Sequence, residues 1–211
     1  FGAPVKTTDR NGESMLYTLD AKGRTISILG PKEAKAGKPY TIRYEYPNLN
    51  QSHSAGQLPY ALTRNYDPEH NRAIETYAYA DGLGRAVQVK KTASIFKGRG
   101  LADEEKHIIS GKQIYDALGR VVETYYPFTA SVQSQLVPAP SSSIPPTKTL
   151  YDEKDRPVEQ ILPDGSSVKM AYKIAHHKGE NTLHTTQTDA LNRQSHTYTD
   201  AQGRVLTQVQ P

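Results

Sequence analysis

The chain has no cysteine and no tryptophan. Disulfide staples and thiolate metal sites are therefore excluded, although a lack of cysteine does not fix a cellular compartment. No apolar run approaches the ~18 residues of a membrane-spanning helix, so no membrane span is expected, and no signal-peptide pattern is visible. The first residue is Phe1 rather than Met, which reads as an excised segment or a processed product; in such a segment a missing signal says nothing about export. Apolar residues are scarce: 36% with Tyr counted, against ~45–50% in ordinary domains. One rich core is therefore not expected; a thin sheet with much exposed surface suits the composition. Helical patterning is nearly absent, and "LADEEKH" at 101–107 could supply one turn at most.

The residues present are not those of a disordered chain, because the 14 Tyr and the β-branched residues are spread along it. The net charge of +4 is dispersed. Its densest basic cluster, "KTASIFKGRG" at 91–100, is followed by "DEE" at 103–105, and no recognition motif accompanies it, so nucleic acid is not an expected partner.

Residues 115–120 read "YDALGR". The phrase recurs as "LDAKGR" from 19, "ADGLGR" from 80, "YDEKDR" from 151, "TDALNR" from 188 and "TDAQGR" from 199, with a looser copy, "YDPEHNR", from 66. A catalytic site needs one constellation, so repetition points to architecture. Aligned on Arg24, Arg72, Arg85, Arg120, Arg156, Arg193 and Arg204, the preceding residues are Gly23, Asn71, Gly84, Gly119, Asp155, Asn192 and Gly203. These are the residue types that tolerate positive φ. Asp20, Asp81, Asp116, Asp152, Asp189 and Asp200 stand four before the Arg, and Asp67 five before. Asp opening the turn and a left-handed residue closing it describe a type I turn with a G1 bulge, a hairpin tip whose Asp can accept backbone N–H bonds.

The flanks read as strands. Two after each Arg stand Ile26, Ile74, Val87, Val122, Val158, Ser195 and Leu206; three after stand Ser27, Glu75, Gln88, Glu123, Glu159, His196 and Thr207. That alternation predicts a half-buried strand with the first set inward. Five after the Arg the pattern is apolar again in six copies, which requires either a bulge or cover on both faces. Pro31, Pro127, Pro163 and Pro211 each lie seven beyond an Arg and suit strand ends. "LPDGS" at 162–166 supplies a turn on the opposite edge, and "YTIRYEYP" at 40–47 an extra strand. The expectation is an all-β fold, a repetitive antiparallel β-hairpin sheet, forming one continuous repeat domain over 1–211 with loop insertions near 91–113 and 134–147.

Sites of chemistry are not evident. His176 and His177 are adjacent, and neighbours on a strand face opposite ways, so an exposed loop pair is favoured over a chelate; His184 lies seven beyond. The repeated Asp residues lack the Asp/Asn alternation of calcium loops. Asp–Arg pairs at the tips read as surface ion pairs of ~0–1 kcal/mol. No nucleophile elbow, phosphate loop or dinucleotide fingerprint occurs. No catalytic residue, metal or cofactor is expected, and the chain does not read as an enzyme. Tyr17, Tyr115, Tyr125, Tyr126 and Tyr151 could form a carbohydrate platform, though cross-strand packing is the simpler role.

"YDALGRVVETYYP", "YDEKDRPVEQILPDGS" and "TDAQGRVLTQVQP" resemble the Rhs/YD-repeat family over most of 15–31, 66–90, 113–127 and 149–211. "YADGLGRAVQVKK" and "SGKQIYDALGRVVETYYP" resemble more narrowly the middle of bacterial toxin-complex B-type proteins. The resemblance implies hairpins stacked into a curved sheet, a segment of a shell-like spiral that encloses a toxic C-terminal segment; teneurins use a related barrel outside animal cells. The partners it implies are neighbouring repeats and an enclosed cargo domain of the same or a partner protein. The location it implies is secreted or at the bacterial cell surface. The family's C-terminal Asp-Pro-Xaa-Gly core motif is absent: Asp67-Pro68 is followed by Glu69-His70. The alternative role is an extracellular module that binds carbohydrate or protein through the sheet face or long loops.

Overall fold

The computed structural model describes residues 2–47, 58–133, 135–138 and 144–211. The chain forms two compact units, residues 1–112 with 127–139, and residues 113–126 with 140–211. The first unit contains β1 (Lys6–Thr8), β2 (Ser14–Leu19), β3 (Thr25–Leu29), α1 (Pro31–Lys35), β4 (Ile42–Glu45), β5 (Tyr60–Asp67), β6 (Arg72–Ala80), β7 (Ala86–Ile95), β8 (Glu104–Ser110) and β11 (Phe128–Ala130). The second contains β9 (Gln113–Tyr115), β10 (Val121–Thr124), β12 (Thr147–Tyr151), β13 (Pro157–Ile161), β14 (Ser167–His177), β15 (Glu180–Thr188), β16 (Gln194–Thr199) and β17 (Val205–Val209).

Each unit is one open antiparallel sheet. The first runs β1-β2-β3-β4-β5-β6-β7-β8-β11 and the second β17-β16-β15-β14-β13-β12-β10-β9. Neighbours are mostly consecutive in sequence, so connections alternate between two rims of each sheet. The tips at 116–120, 152–156 and 200–204 share a rim in the second unit, and the tip at 189–193 lies on the opposite one with the 162–166 turn. Likewise 20–24 and 81–85 share a rim, opposite 67–72. The spacing of 11 between Asp189 and Asp200 is therefore one strand with a tip at either end.

The flanking pattern resolves into a second bulge at five tips. Ile26, Val87, Val122, Val158 and Leu206, each two after its Arg, are the residues skipped in the pairing register. After Arg193, where this position is Ser195, the ladder is unbroken. The expected inward face is corrected after Arg85, where the more buried face of β7 carries the polar residue three after the Arg. Gln88 and Lys90 are buried beside Tyr79 and Tyr77, their register partners, while Val87 and Val89 are half-exposed. The reason is that this face is filled by aromatic rings and hydrogen-bonded polar groups rather than aliphatics. The buried hydrophobic residues are few, Leu62, Tyr77, Tyr79, Ile109 and Val137, as the sparse apolar composition implies.

Three element readings change. Residues 104–107 of the 101–107 stretch enter β8, whose pairing with β7 from Ile95↔Glu104 makes much of 91–113 a long hairpin rather than a loop. The helix is α1 instead, started by Pro31 and tied down by Thr41, which accepts from the Gly30 N–H (2.7 Å) and donates to Glu33 (2.6 Å). In the 134–147 insertion, residues 134 and 139–143 lie outside the described residues; 135–138 lie over the first sheet.

Candidate functional site

The repeated tips have a common geometry. At Asp116, Oδ1 accepts the N–H groups of Leu118 and Arg120 at 2.9 Å each, and Oδ2 accepts Arg120 Nε at 2.7 Å. The same three bonds form at Asp20, Asp81, Asp152, Asp189 and Asp200. Backbone bonds from Asp to the Arg carbonyl and from Gly, Asn or Asp back to the opening Asp close each turn. The closing residues are left-handed, with φ of 79° at Gly23, 76° at Gly84, 86° at Gly119, 60° at Asp155, 62° at Asn192 and 83° at Gly203. Asp67 differs because of its extra residue. It pairs directly with Arg72, its Oδ2 meets His70 Nδ1 at 2.8 Å, and left-handed Asn71 takes the Tyr66 hydroxyl.

These bonds act on the carboxylate charge. The Arg120 N–H and then its guanidinium hold Asp116 below its usual range, and Asp20, Asp81, Asp189 and Asp200 are lowered in the same way by the backbone N–H of their own Arg. At Asp152 the Arg156 side chain leads and the value falls to about 2.

A third partner was not read from the sequence. Tyr46 lies under the Arg24 guanidinium (4.5 Å) and donates its hydroxyl to the Thr25 carbonyl (3.2 Å). Tyr151 does the same for Arg120 (4.9 Å) and the Val121 carbonyl (2.9 Å), and Tyr172 for Arg156 (4.3 Å) and the Pro157 carbonyl (2.8 Å). In each case the acceptor is the residue just before the bulge, and the Tyr comes from further along the chain, just after β4 for Tyr46 and from β12 and β14 for Tyr151 and Tyr172. Arg120 also donates to Asp155 Oδ1 (2.8 Å) and the Asp152 carbonyl (3.3 Å) of the next tip on its rim. The phrase "YD" thus serves two tips: Tyr151 completes the one behind while Asp152 opens its own. An eighth turn, Asp9 to Glu13 with Gly12 at φ 80°, has the same backbone bonds with Glu in place of Arg, and so escaped the alignment.

The second feature is a buried polar cluster in the first unit. Lys90 Nζ donates to the carbonyls of Gln133 (2.5 Å) and Gln135 (2.7 Å) and lies over the rings of Tyr77 (4.7 Å) and Tyr79 (5.0 Å). Gln88 exchanges two bonds with the Val137 backbone, at 2.8 and 2.9 Å. His107 Nδ1 accepts the Gln133 N–H (3.4 Å); its buried Nε2 has no hydrogen-bond partner among the described residues. Burial pushes Lys90 down to about 8, and burial together with Lys90 lowers His107. Burial works to raise Glu75, but the Tyr77 hydroxyl (2.6 Å) and Arg64 (2.8 Å) outweigh it and hold it ionised. This cluster pins residues 131–133 and 135–138 as a strap across the sheet. It places a cation and an imidazole together, but both are sealed from solvent.

The histidine reading is also corrected. His176 and His177 end β14 rather than lying in a loop; they face opposite ways, and His177 and His184 meet through Tyr198, stacked on both rings. Among the described residues no group of three or more His, Cys, Asp or Glu could hold a metal ion, and no helix is long and apolar enough to cross a membrane. Tyr17 lies in the first unit and Tyr115, Tyr125, Tyr126 and Tyr151 in the second; Tyr151 is occupied at the rim. A different groove, of about 570 Å³, is lined in part by Tyr40, Tyr44, Tyr46, Arg24 and Arg43.

The fold and rims define a repetitive antiparallel β-hairpin protein. Residues 58–173, more than half of the chain, match a family described as a domain of unknown function, DUF6443, and the chain belongs to that family. No curated protein sequence matches. Among solved structures, the chain is similar to TcdB2-TccC3, at 17% identity and a TM-score of 0.63, over 99% of this chain and 14% of that one. It is also similar to TcdB2-TccC3-Cdc42, at 16% identity and 0.56, and to a Tc holotoxin pore of Photorhabdus luminescens, at 15% and 0.59; each likeness covers 99% of this chain and 16% of the other. The fold is therefore shared with one-sixth or less of each Tc toxin chain.

Proposed function

We propose that the chain is a length of wall in a YD-repeat β-shell of a large exported bacterial protein, and that its work is enclosure of a cargo segment rather than catalysis. The observation that carries this reading is the rim ladder, in which an Arg of one hairpin is completed by a Tyr from later in the chain. Such a device serves continuity between repeats, which a wall needs and a solitary site does not. The likeness in fold to Tc toxin chains and the repeated phrase support it. The partners in this reading are neighbouring repeats and the cargo, and the location is outside the producing cell or at its surface.

Limited proteolysis of the full-length parent protein tests it. The expected result is that a segment outside this chain resists protease in the native protein and becomes cleavable when the repeat region is unfolded. Equal cleavage in both states would overturn enclosure. The groove lined by three Tyr and two Arg favours a second reading, an extracellular binding module for carbohydrate or protein. A glycan array separates the two, since a passive wall gives no saturable signal.

A further inference from the structure

We propose that the end of the β14–β15 hairpin is an acid-released latch across β16 and β17. In a flat sheet β14 and β17 would stand three strand spacings apart, about 14 Å. Yet His177 Nε2 lies 2.8 Å from Thr207 Oγ1, and Lys178 Nζ donates to the Leu206 carbonyl at 3.3 Å. The hairpin end is therefore folded over its neighbours. Its seat is aromatic: His177 stacks on Tyr198 with ring centres 4.1 Å apart, and Tyr198 stacks on His184 at 4.3 Å.

The seat depends on protonation through a pair of imidazoles. His184 Nε2 and His196 Nδ1 are 3.1 Å apart, and Thr186 Oγ1 lies 3.4 and 3.2 Å from them. The ring centres are 5.2 Å apart, so the two nitrogens face one another and share an N–H···N bond. Such a bond holds one proton. It tolerates a neutral pair or a singly charged pair; a second added proton sets N–H against N–H across 3.1 Å.

The surroundings make added positive charge costly. Lys173 on β14 is the register partner of His184, and His177 and Lys178 lie at the same end. The nearby acids are Glu180, exposed and paired in register with His177, and Asp200, already bonded to Arg204 and to its own turn. β17 presents Thr207 and Val209 on this face, opposite Tyr198 and His196. Burial first, then Lys173, His196 and His177, lower the His184 pKa. A group depressed in the folded state gives stability that is complete above its ordinary value near 6.5 and is lost as pH falls through the folded value. The latch is accordingly closed at neutral pH and loosened in mild acid. This inference needs only the second unit and is independent of the wall reading.

Hydrogen exchange on the 211-residue chain at pH 7.5 and 5.5, corrected for intrinsic rates, tests it. Segments 172–186 and 194–209 should lose protection about tenfold, the equivalent of one pKa unit, while 147–161 stays unchanged. His196→Gln keeps a hydrogen-bonding amide without a titration, and should remove most of that acid step. Unchanged wild-type exchange, or the same acid step in His196→Gln, would overturn the latch. If that variant does not fold at pH 7.5, imidazole NMR titration of the wild-type chain decides. A His184 imidazole that titrates below its ordinary value of 6.5 is expected, and one that titrates at that value would refute the latch.

Discussion

At Gly84 the backbone φ is 76° and nothing stands within 4 Å of an added Cβ, so any cost of substitution there is conformational. Gly84→Val should destabilise by ~1–2 kcal/mol, and Gly84→Asn much less, because Asn71 and Asn192 hold the same conformation. Equal melting temperatures for the two variants would contradict the turn assignment. At Tyr172 the ring and the hydroxyl can be separated. Tyr172→Phe removes only the bond to the Pro157 carbonyl and should cost ~0.5–1.5 kcal/mol. Tyr172→Leu also removes the surface beneath Arg156 and should cost a further ~0.5–1 kcal/mol. Thermal melts of both variants check the step between them. The turn chemistry was legible in the sequence because Asp and a Gly, Asn or Asp at fixed spacing have few other uses. The role of Tyr was not, because its partner Arg is 22 residues away for Tyr46, 31 for Tyr151 and 16 for Tyr172.

At the scale of elements, the strap over the first sheet is held largely through its main chain. Lys90→Met would strip donors from the Gln133 and Gln135 carbonyls, a loss of ~1–3 kcal/mol for each buried group left unpaired, offset in part because an ammonium is no longer buried. The expected outcome is a lower melting temperature and faster proteolysis within 131–138; a strap as resistant as the wild type would show that Lys90 is not its anchor. Strand existence could be read from the Arg-aligned flanks, but the inward face could not. Alternation gives two faces without saying which is covered, and the bulged residues two after the Arg are apolar without being the core. The burial of Gln88, Lys90 and His107 left no mark in the sequence because their partners are strap backbone atoms, which carry no residue signature.

At the scale of the whole molecule, the rim carboxylates act together. All six that open the repeated five-residue tips have depressed folded values against an ordinary 3.8, reaching about 2 at Asp152. Their contribution is complete above that ordinary value and is lost as pH falls through the folded ones. Cooperative unfolding should therefore appear between about pH 4 and pH 2, followed by far-ultraviolet circular dichroism, and a chain that keeps its sheet at pH 2 would contradict this. β17 pairs only with β16 among the described residues, and such an edge invites another strand. Self-association in sedimentation is expected. Thr207→Lys suits an edge-blocking test on sequence alone, but the Thr207 hydroxyl meets His177, so Gln208→Lys, on the exposed face, is the cleaner variant.

The order of the strands has a kinetic consequence. Because each strand mostly pairs with the one made just before it, the loops that must close are short, and short closures are fast. Each sheet can therefore grow hairpin by hairpin as the chain leaves the ribosome, without long-lived unpaired edges waiting for distant partners. The exceptions are β11, which pairs with β8 only after β9 and β10 have been synthesised, and β12, which pairs with β10 only after β11 has been. The strap follows β11 directly, so sealing is the last step in completing the first unit, and Lys90 and His107 stay open to water until then. A ribosome paused before residue 128 would display that face unsealed, which makes this stretch of translation the moment at which the first unit is most exposed to chaperones and proteases.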